Sequence, residues 1–191
     1  MLTVILAGGA SRRMGRDKAL LPWQGGTMLQ SLIDRYAALG PVAVSVNAPG
    51  RFPFTGAREL TDPYPGQGPL NGIAAAFSET EEAELFLTGT DLPFGCAALA
   101  LRLRAKRGGA DACVLRRGPK GAEPLFAVYG RGCLTPARTL LARGQRSFRQ
   151  LFDAVNVRYV LPEALPEFDL DRILKNVNTE EEYRACLNKA L

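Results

Sequence analysis

The chain has 191 residues, 47% hydrophobic and 23% charged, a balance that sets aside disorder and predicts one domain over residues 1–191 with a full core. No apolar run approaches the roughly 20 residues of a membrane span, and the N-terminus reads as a strand rather than a leader, so a soluble cytoplasmic protein is expected. With no histidine, imidazole catalysis is excluded; Cys96, Cys113, Cys133 and Cys186 form no Cys-x-x-Cys pair and read as reduced thiols; the formal charge of +5 suits an anionic partner.

The predicted elements alternate. LTVIL (residues 2–6) reads as a buried strand, followed by a loop of glycines and basic residues, Gly8 to Lys18. Thr27 and Gln30 form a capping box, and Leu29, Leu32, Ile33 and Tyr36 follow at helical spacing until Gly40-Pro41. VAVSV is a second strand ending at Asn47, and ARELT a third reaching Asp62. The turn-rich DPYPGQGPLNGI leads into a small-residue helix from about Leu70. AELFLTGTD is a central strand ending at Asp91, and Leu99 to Leu103 lie in a helix. DACVL and EPLFAVY are strands, LTPARTLLA and SFRQLF helical, NVRYVL a strand, and a last helix opens at Thr179 with Glu182 completing its capping box.

Strands alternating with helices imply an α/β fold, a mainly parallel open sheet with helices on both faces. Such sheets bind ligands beyond the carboxyl ends of their strands. Gly8-Gly9, Asn47, Asp62 and Asp91 each follow a predicted strand, so four separate stretches should meet along one rim. Any one of them is an ordinary turn former; the basic loop beside them favours a ligand. The other basic residues gather in separate turns, Arg116-Arg117-Lys120 and Arg143-Arg146-Arg149, without the aromatic platform of a nucleic-acid reader. Small anionic ligands fit better than nucleic acid.

The first loop is neither a Walker A loop nor a dinucleotide fingerprint. From Gly9 the next glycine, Gly15, comes one residue too late, and Arg16-Asp17 stand where Lys-Ser would be needed; Gly8-Gly9-Ala10-Ser11 does not supply Gly-x-Gly-x-x-Gly. What remains is a glycine pair that lets backbone N–H groups approach a ligand, with Arg12, Arg13, Arg16 and Lys18 able to surround a triphosphate.

LAGGASRRMGRDKALL resembles the nucleotide-binding signature of the molybdenum cofactor guanylyltransferases, and the resemblance continues in order through DPYPGQGPLNGI, LTGTDLPF, EPLFAVY and NVNT. It implies a three-layer αβα, Rossmann-like fold of the nucleotide-diphospho-sugar transferase kind. It also implies a magnesium-dependent transfer of GMP from GTP to the terminal phosphate of molybdopterin, with pyrophosphate released. Asp91, Lys18 and Arg13 would be the catalytic set, Asp91 as the magnesium ligand. Lys18 and Arg13 would hold the triphosphate, Leu6 and Ala7 would offer backbone groups to the base, and Gly8 and Gly9 would allow close approach. Asn47 and Asp62 match nucleotide-contact positions, with their base and ribose roles open; Gly8 favours guanine, since relatives that use CTP tend to read Leu-Ala-Ala-Gly here. Glu123, Asn176 and Asn178 resemble the pterin-side half, and either asparagine would also suit the metal shell. GTP and molybdopterin are the implied partners, with transient contacts to cofactor-delivery proteins and a monomeric state expected. A cytidylyltransferase or other nucleotidyltransferase, and a non-catalytic nucleotide-binding regulator, are the alternative readings.

Overall fold

The computed structural model describes residues 1–8, 16–118 and 121–190. Its sheet contains β1 (Leu2–Leu6), β4 (Val42–Val46), β5 (Arg58–Thr61), β6 (Glu84–Gly89), β7 (Ala112–Arg116), β8 (Ala122–Gly130) and β9 (Val157–Val160), in the order β5-β4-β1-β6-β8-β7-β9. β1, β4, β5 and β6 run parallel, as do β7 and β9, while β8 is antiparallel to both neighbours. The reversal follows from a short link. Arg117 N–H donates to the Gly121 carbonyl at 2.8 Å, so β7 and β8 form a hairpin, which a short connection permits only between antiparallel strands.

The sheet is buried on both faces, and alternate residues sort to opposite sides. Ile5, Val44, Phe86, Cys113 and Phe126 pack against α1 (Met28–Tyr36) and α3 (Ala97–Arg107). Val4, Ala43, Leu87, Val114 and Ala127 pack against α2 (Leu70–Glu79), α4 (Leu134–Ala142) and α5 (Phe148–Ala154). This is the three-layer αβα arrangement expected from the sequence.

A second, small sheet pairs β2 (Pro22–Trp23) with β3 (Gly26–Thr27). Its turn residues Gln24 and Gly25 both have positive φ, 47° and 85°, the backbone of a tight hairpin turn that glycine adopts without strain. Trp23, only 2% exposed, packs edge-on against Phe94 at 5.5 Å and beside Tyr183 at 6.4 Å. With Leu21, Met28, Val177 and Cys186 these side chains form a third apolar cluster, which docks the C-terminal α7 (Glu180–Ala190) on the hairpin. The Thr179–Glu182 capping box is formed: Glu182 N donates to Thr179 Oγ1 at 3.2 Å and Thr179 N to Glu182 Oε2 at 3.0 Å. No helix among the described residues is long and apolar enough to cross a membrane.

Candidate nucleotide-binding site

Because β1, β4, β5 and β6 are parallel, the residues after them emerge at one edge. There Leu6, Gly8, Lys18, Ser45, Asn47, Asp62, Gly68, Thr90, Asp91 and Leu125 line a cleft of about 500 Å³. The structure thus brings together Gly8, Lys18, Asn47, Asp62 and Asp91, drawn from separate parts of the sequence. Gly9 and Arg13, with Arg12, lie outside the described residues.

Asp91 stands at the end of β6. Gly89 makes room for it: a methyl group on Gly89 would overlap Asp91 Oδ1. The side chain does not cap the next helix, since α3 is preceded by Cys96. Burial pushes the Asp91 carboxyl above its ordinary pKa, partly offset by the positive charge of Lys18. Asp62 is raised in the same way by burial, offset by a hydrogen bond from Ser45 Oγ at 3.0 Å. The cleft therefore holds two desolvated carboxylates, an arrangement that gains from a cation.

Lys18 opens a short 3₁₀ turn whose cap is Asp17, which accepts from Ala19 N at 3.1 Å. Its ammonium donates to Asn178 Oδ1 at 2.7 Å. The same C-terminal segment is tied to the metal-candidate residue, because Val177 N donates to the Asp91 carbonyl at 2.8 Å. Asn178 therefore sits with Lys18, whereas Asn176 is exposed to solvent. Glu123 lies near the start of β8, which its antiparallel direction brings to the same edge, two residues before cleft-lining Leu125.

Leu6 faces the cleft with its side chain, and its carbonyl accepts from Thr90 N at 3.3 Å. Both Ala7 backbone groups are already engaged within the protein: the N–H by the Ser45 carbonyl at 3.0 Å, the carbonyl by Arg51 Nη1 at 2.9 Å. The GQGPLNG segment is pinned by Asn71, 1% exposed, which accepts from Tyr64 N at 3.1 Å and donates to the Tyr64 carbonyl at 2.7 Å. Gly66 and Gly68 have φ of 77° and 78°, which only glycine adopts freely, and Arg146 reaches over this loop to the Gly66 carbonyl at 3.2 Å. The N–H groups of Asn71 and Gly72 are taken by the Gly68 and Pro69 carbonyls, so neither is free for an anion at the first turn of α2.

Sequence reasoning missed Arg51, Asn71 and Trp23. Arg51 was unremarkable in an exposed turn, yet it bonds Ala7, Asn47 and Asp17. The arginines of another basic turn are spent internally, Arg117 on Asp171 at 2.5 Å and Arg116 over the Tyr159 ring at 5.4 Å; Lys120 lies outside the described residues.

Among the described residues, no three acidic, cysteine or histidine side chains gather to hold a metal by themselves. Among the described residues of the cleft, the side chains able to ligate a cation do so through oxygen, and its carboxylates suit a hard cation. Cysteine nucleophiles are disfavoured: burial pushes the Cys113 and Cys133 thiols up to about 11 and about 12.

A family model described as "MobA-like NTP transferase domain" matches residues 3–159. The chain belongs to that family. Among curated relatives, it is 35% identical over 182 residues to a "Probable molybdenum cofactor guanylyltransferase" of Pelotomaculum thermopropionicum, with 92% of this chain and 86% of the relative covered. A relative of the same description from Opitutus terrae is 37% identical over 176 residues, covering 88% and 86%. The solved structure of molybdopterin-guanine dinucleotide biosynthesis protein A from Archaeoglobus fulgidus superposes with a TM-score of 0.85 at 22% identity, covering 99% of this chain and 98% of that one. The 2-C-methyl-D-erythritol 4-phosphate cytidylyltransferase of Thermus thermophilus shares the fold with a TM-score of 0.66 at 16% identity, covering 98% of each chain. The fold is that of the nucleotidyltransferases.

Proposed function

We propose that this nucleotidyltransferase moves GMP from GTP to the terminal phosphate of molybdopterin, with residues 1–191 acting as one domain. The observation that carries the reading is the meeting of Lys18 and Asp91 at one cleft, with Lys18 bonded to Asn178 from the far end of the chain. The curated relatives' names support the choice of acceptor and base.

In this reaction an oxygen of the acceptor phosphate attacks the α-phosphorus of GTP. A new P–O bond forms as the bond to the β-phosphate bridging oxygen breaks, and pyrophosphate leaves with the electron pair. Both reactants are anions, so the protein's work is positioning and charge compensation. Lys18, held by Asn178, offsets charge on the β- and γ-phosphates and on the leaving pyrophosphate. Arg13 would assist from the adjoining basic stretch. Asp91 would hold magnesium, which supplies charge neutralisation at the phosphate oxygens when bound. Asp62, fixed by Ser45, offers a carboxylate to the N–H donors of guanine. Glu123 and Asn176 remain assigned to the acceptor side.

The test is direct. Protein, magnesium and molybdopterin are mixed with each of the four nucleoside triphosphates, and pyrophosphate is followed. Release with GTP that depends on molybdopterin is expected. Faster turnover with CTP would overturn the base assignment, and no release with any nucleotide would overturn the enzymatic reading.

A further inference from the structure

Arg51 lies five residues beyond the end of β4, and the structure spends several groups on placing it. The Glu59 carboxylate, from β5, accepts backbone N–H bonds from Gly50, Arg51 and Phe52 at 2.5, 3.3 and 2.5 Å. Phe52 is 1% exposed and anchors the turn, and the guanidinium lies 4.9 Å from its ring centroid. From this seat Arg51 Nη1 donates to the Ala7 carbonyl and to Asn47 Oδ1, each at 2.9 Å, while Nη2 pairs with the Asp17 carboxylate. Ala7 and Asp17 flank the basic stretch of the signature, and Asp17 directly precedes Lys18.

The Asn47 contact fixes an orientation. A guanidinium only donates, so the amide atom facing it is the oxygen, and the NH₂ group points away from it. Among the described residues that NH₂ has no acceptor, and Asn47 lines the cleft. The place a methyl would take on Gly8 is 3.4 Å from the Asn47 backbone N and 3.6 Å from Asp62 Oδ2, so both residues border Gly8. A guanine edge presents O6 as acceptor beside the N1 and N2 donors. The Asn47 amide N–H and the Asp62 carboxylate, both on the cleft, supply complementary groups for that edge.

We propose that Arg51 is a positioning residue for the nucleotide: it clamps both flanks of the basic stretch and turns the Asn47 amide so that an N–H donor faces the base. The inference rests on the guanine-nucleotide reading above. Its cargo of positive charge is committed to Asp17 and does not go to the triphosphate.

The experiment measures equilibrium binding of magnesium-GTP and magnesium-CTP, with thermal melts of every variant. Arg51→Ala is expected to weaken GTP on the order of tenfold and to narrow the GTP-to-CTP ratio, because the Asn47 amide is then free to turn over. Asn47→Asp keeps an acceptor for Arg51 but replaces the N–H donor with oxygen; it should lose the preference while melting like the wild type. Asp17→Asn should weaken both nucleotides alike and leave the ratio unchanged, since it loosens the lysine turn without touching the base side. If Arg51→Ala weakened GTP and CTP equally, or if Asn47→Asp kept the full preference, the inference would be overturned. Should Arg51→Ala fail to fold, Asn47→Asp decides alone. Wild-type protein that binds no nucleotide would sink the functional reading itself; wild-type selectivity retained in either variant sinks only this inference.

Discussion

Gly72 sits in the first turns of α2, where the helix crosses the sheet beneath the cleft. A methyl placed there would lie 2.5 Å from Leu6 Cδ2, 3.4 Å from Leu87 Cδ1 and 3.6 Å from Ser45 Oγ. Only the first contact is prohibitive; it needs relief of roughly an ångström to reach the normal separation of about 3.5–4.0 Å. Leu6 can yield, because its side chain ends at the cleft rather than in the closed core. Overpacking typically costs about 1–3 kcal/mol, while replacing a helical glycine by alanine returns about 1 kcal/mol of propensity. With a yielding Leu6 the low end applies, so Gly72→Ala should change stability by no more than about 1 kcal/mol. The displaced methyl must then go into the cleft, where the nucleotide is proposed to bind. A loss of about 1.4 kcal/mol there is tenfold in affinity, so KM for the nucleotide should rise on the order of tenfold. Urea denaturation and initial-rate kinetics on the same preparation test both halves. A variant that loses several kcal/mol with KM unchanged would refute the reasoning, since it would mean the helix moves and Leu6 does not.

Asp91→Asn should lower kcat by about 10²–10³-fold, the usual scale for one lost transition-state charge contact, as measured by pyrophosphate release. The same variant should be more stable than wild type at neutral pH. Burial raises the carboxyl's pKa, so the folded state binds the proton more tightly and wild-type stability falls as pH rises through the raised value. The gap in melting temperature between variant and wild type should therefore close on acidification, and a lower melting temperature for the variant at neutral pH would contradict the assignment of burial as the cause. Asn71→Ala strands the Tyr64 N–H and carbonyl and should cost about 2 kcal/mol in denaturant unfolding. Trp23→Ala should cost about 3–5 kcal/mol by the same measurement, the range for a buried large aromatic. Metal binding should be weak without nucleotide and tight with it, because among the described residues no three acidic side chains gather to hold a cation and phosphates would have to supply further ligands; calorimetry with and without GTP reads the coupling, and tight binding of the bare ion would count against it.

The rim was legible because strand ends are local features. Gly8, Asn47, Asp62 and Asp91 each follow an apolar run, and the parallel direction of β1, β4, β5 and β6 does the rest. Direction itself is not written in a strand's alternation, which is why β8 could be placed as a strand without its reversal being visible; the short link from Arg117 to Gly121 was the available sign. The Gln24-Gly25 hairpin was not legible: Gln-Gly is not one of the strong two-residue hairpin pairs, and the positive φ of both residues appears only in the structure. What no pattern could give were contacts between distant positions. Lys18 meets Asn178 across 160 residues, and Arg51 meets Ala7 across 44 and Asp17 across 34. A surface arginine has the same local signature whether it is solvated or clamps three partners, so Arg51 could be found only in three dimensions.

Those long contacts also say how the site is completed. The family match ends at residue 159, yet the acceptor for Lys18 comes from Asn178 and the hydrogen bond to the Asp91 carbonyl from Val177. Neither contact exists until the C-terminal segment has packed on the Trp23 hairpin. Polar contacts of this kind add only a net ~1 kcal/mol each, more where a charge is involved. The apolar cluster of Leu21, Trp23, Met28, Val177, Tyr183 and Cys186 has to supply most of the docking energy. Trp23, far from Asn178 in the sequence, packs beside Tyr183 in the fold and so helps hold the segment that carries Asn178 against Lys18.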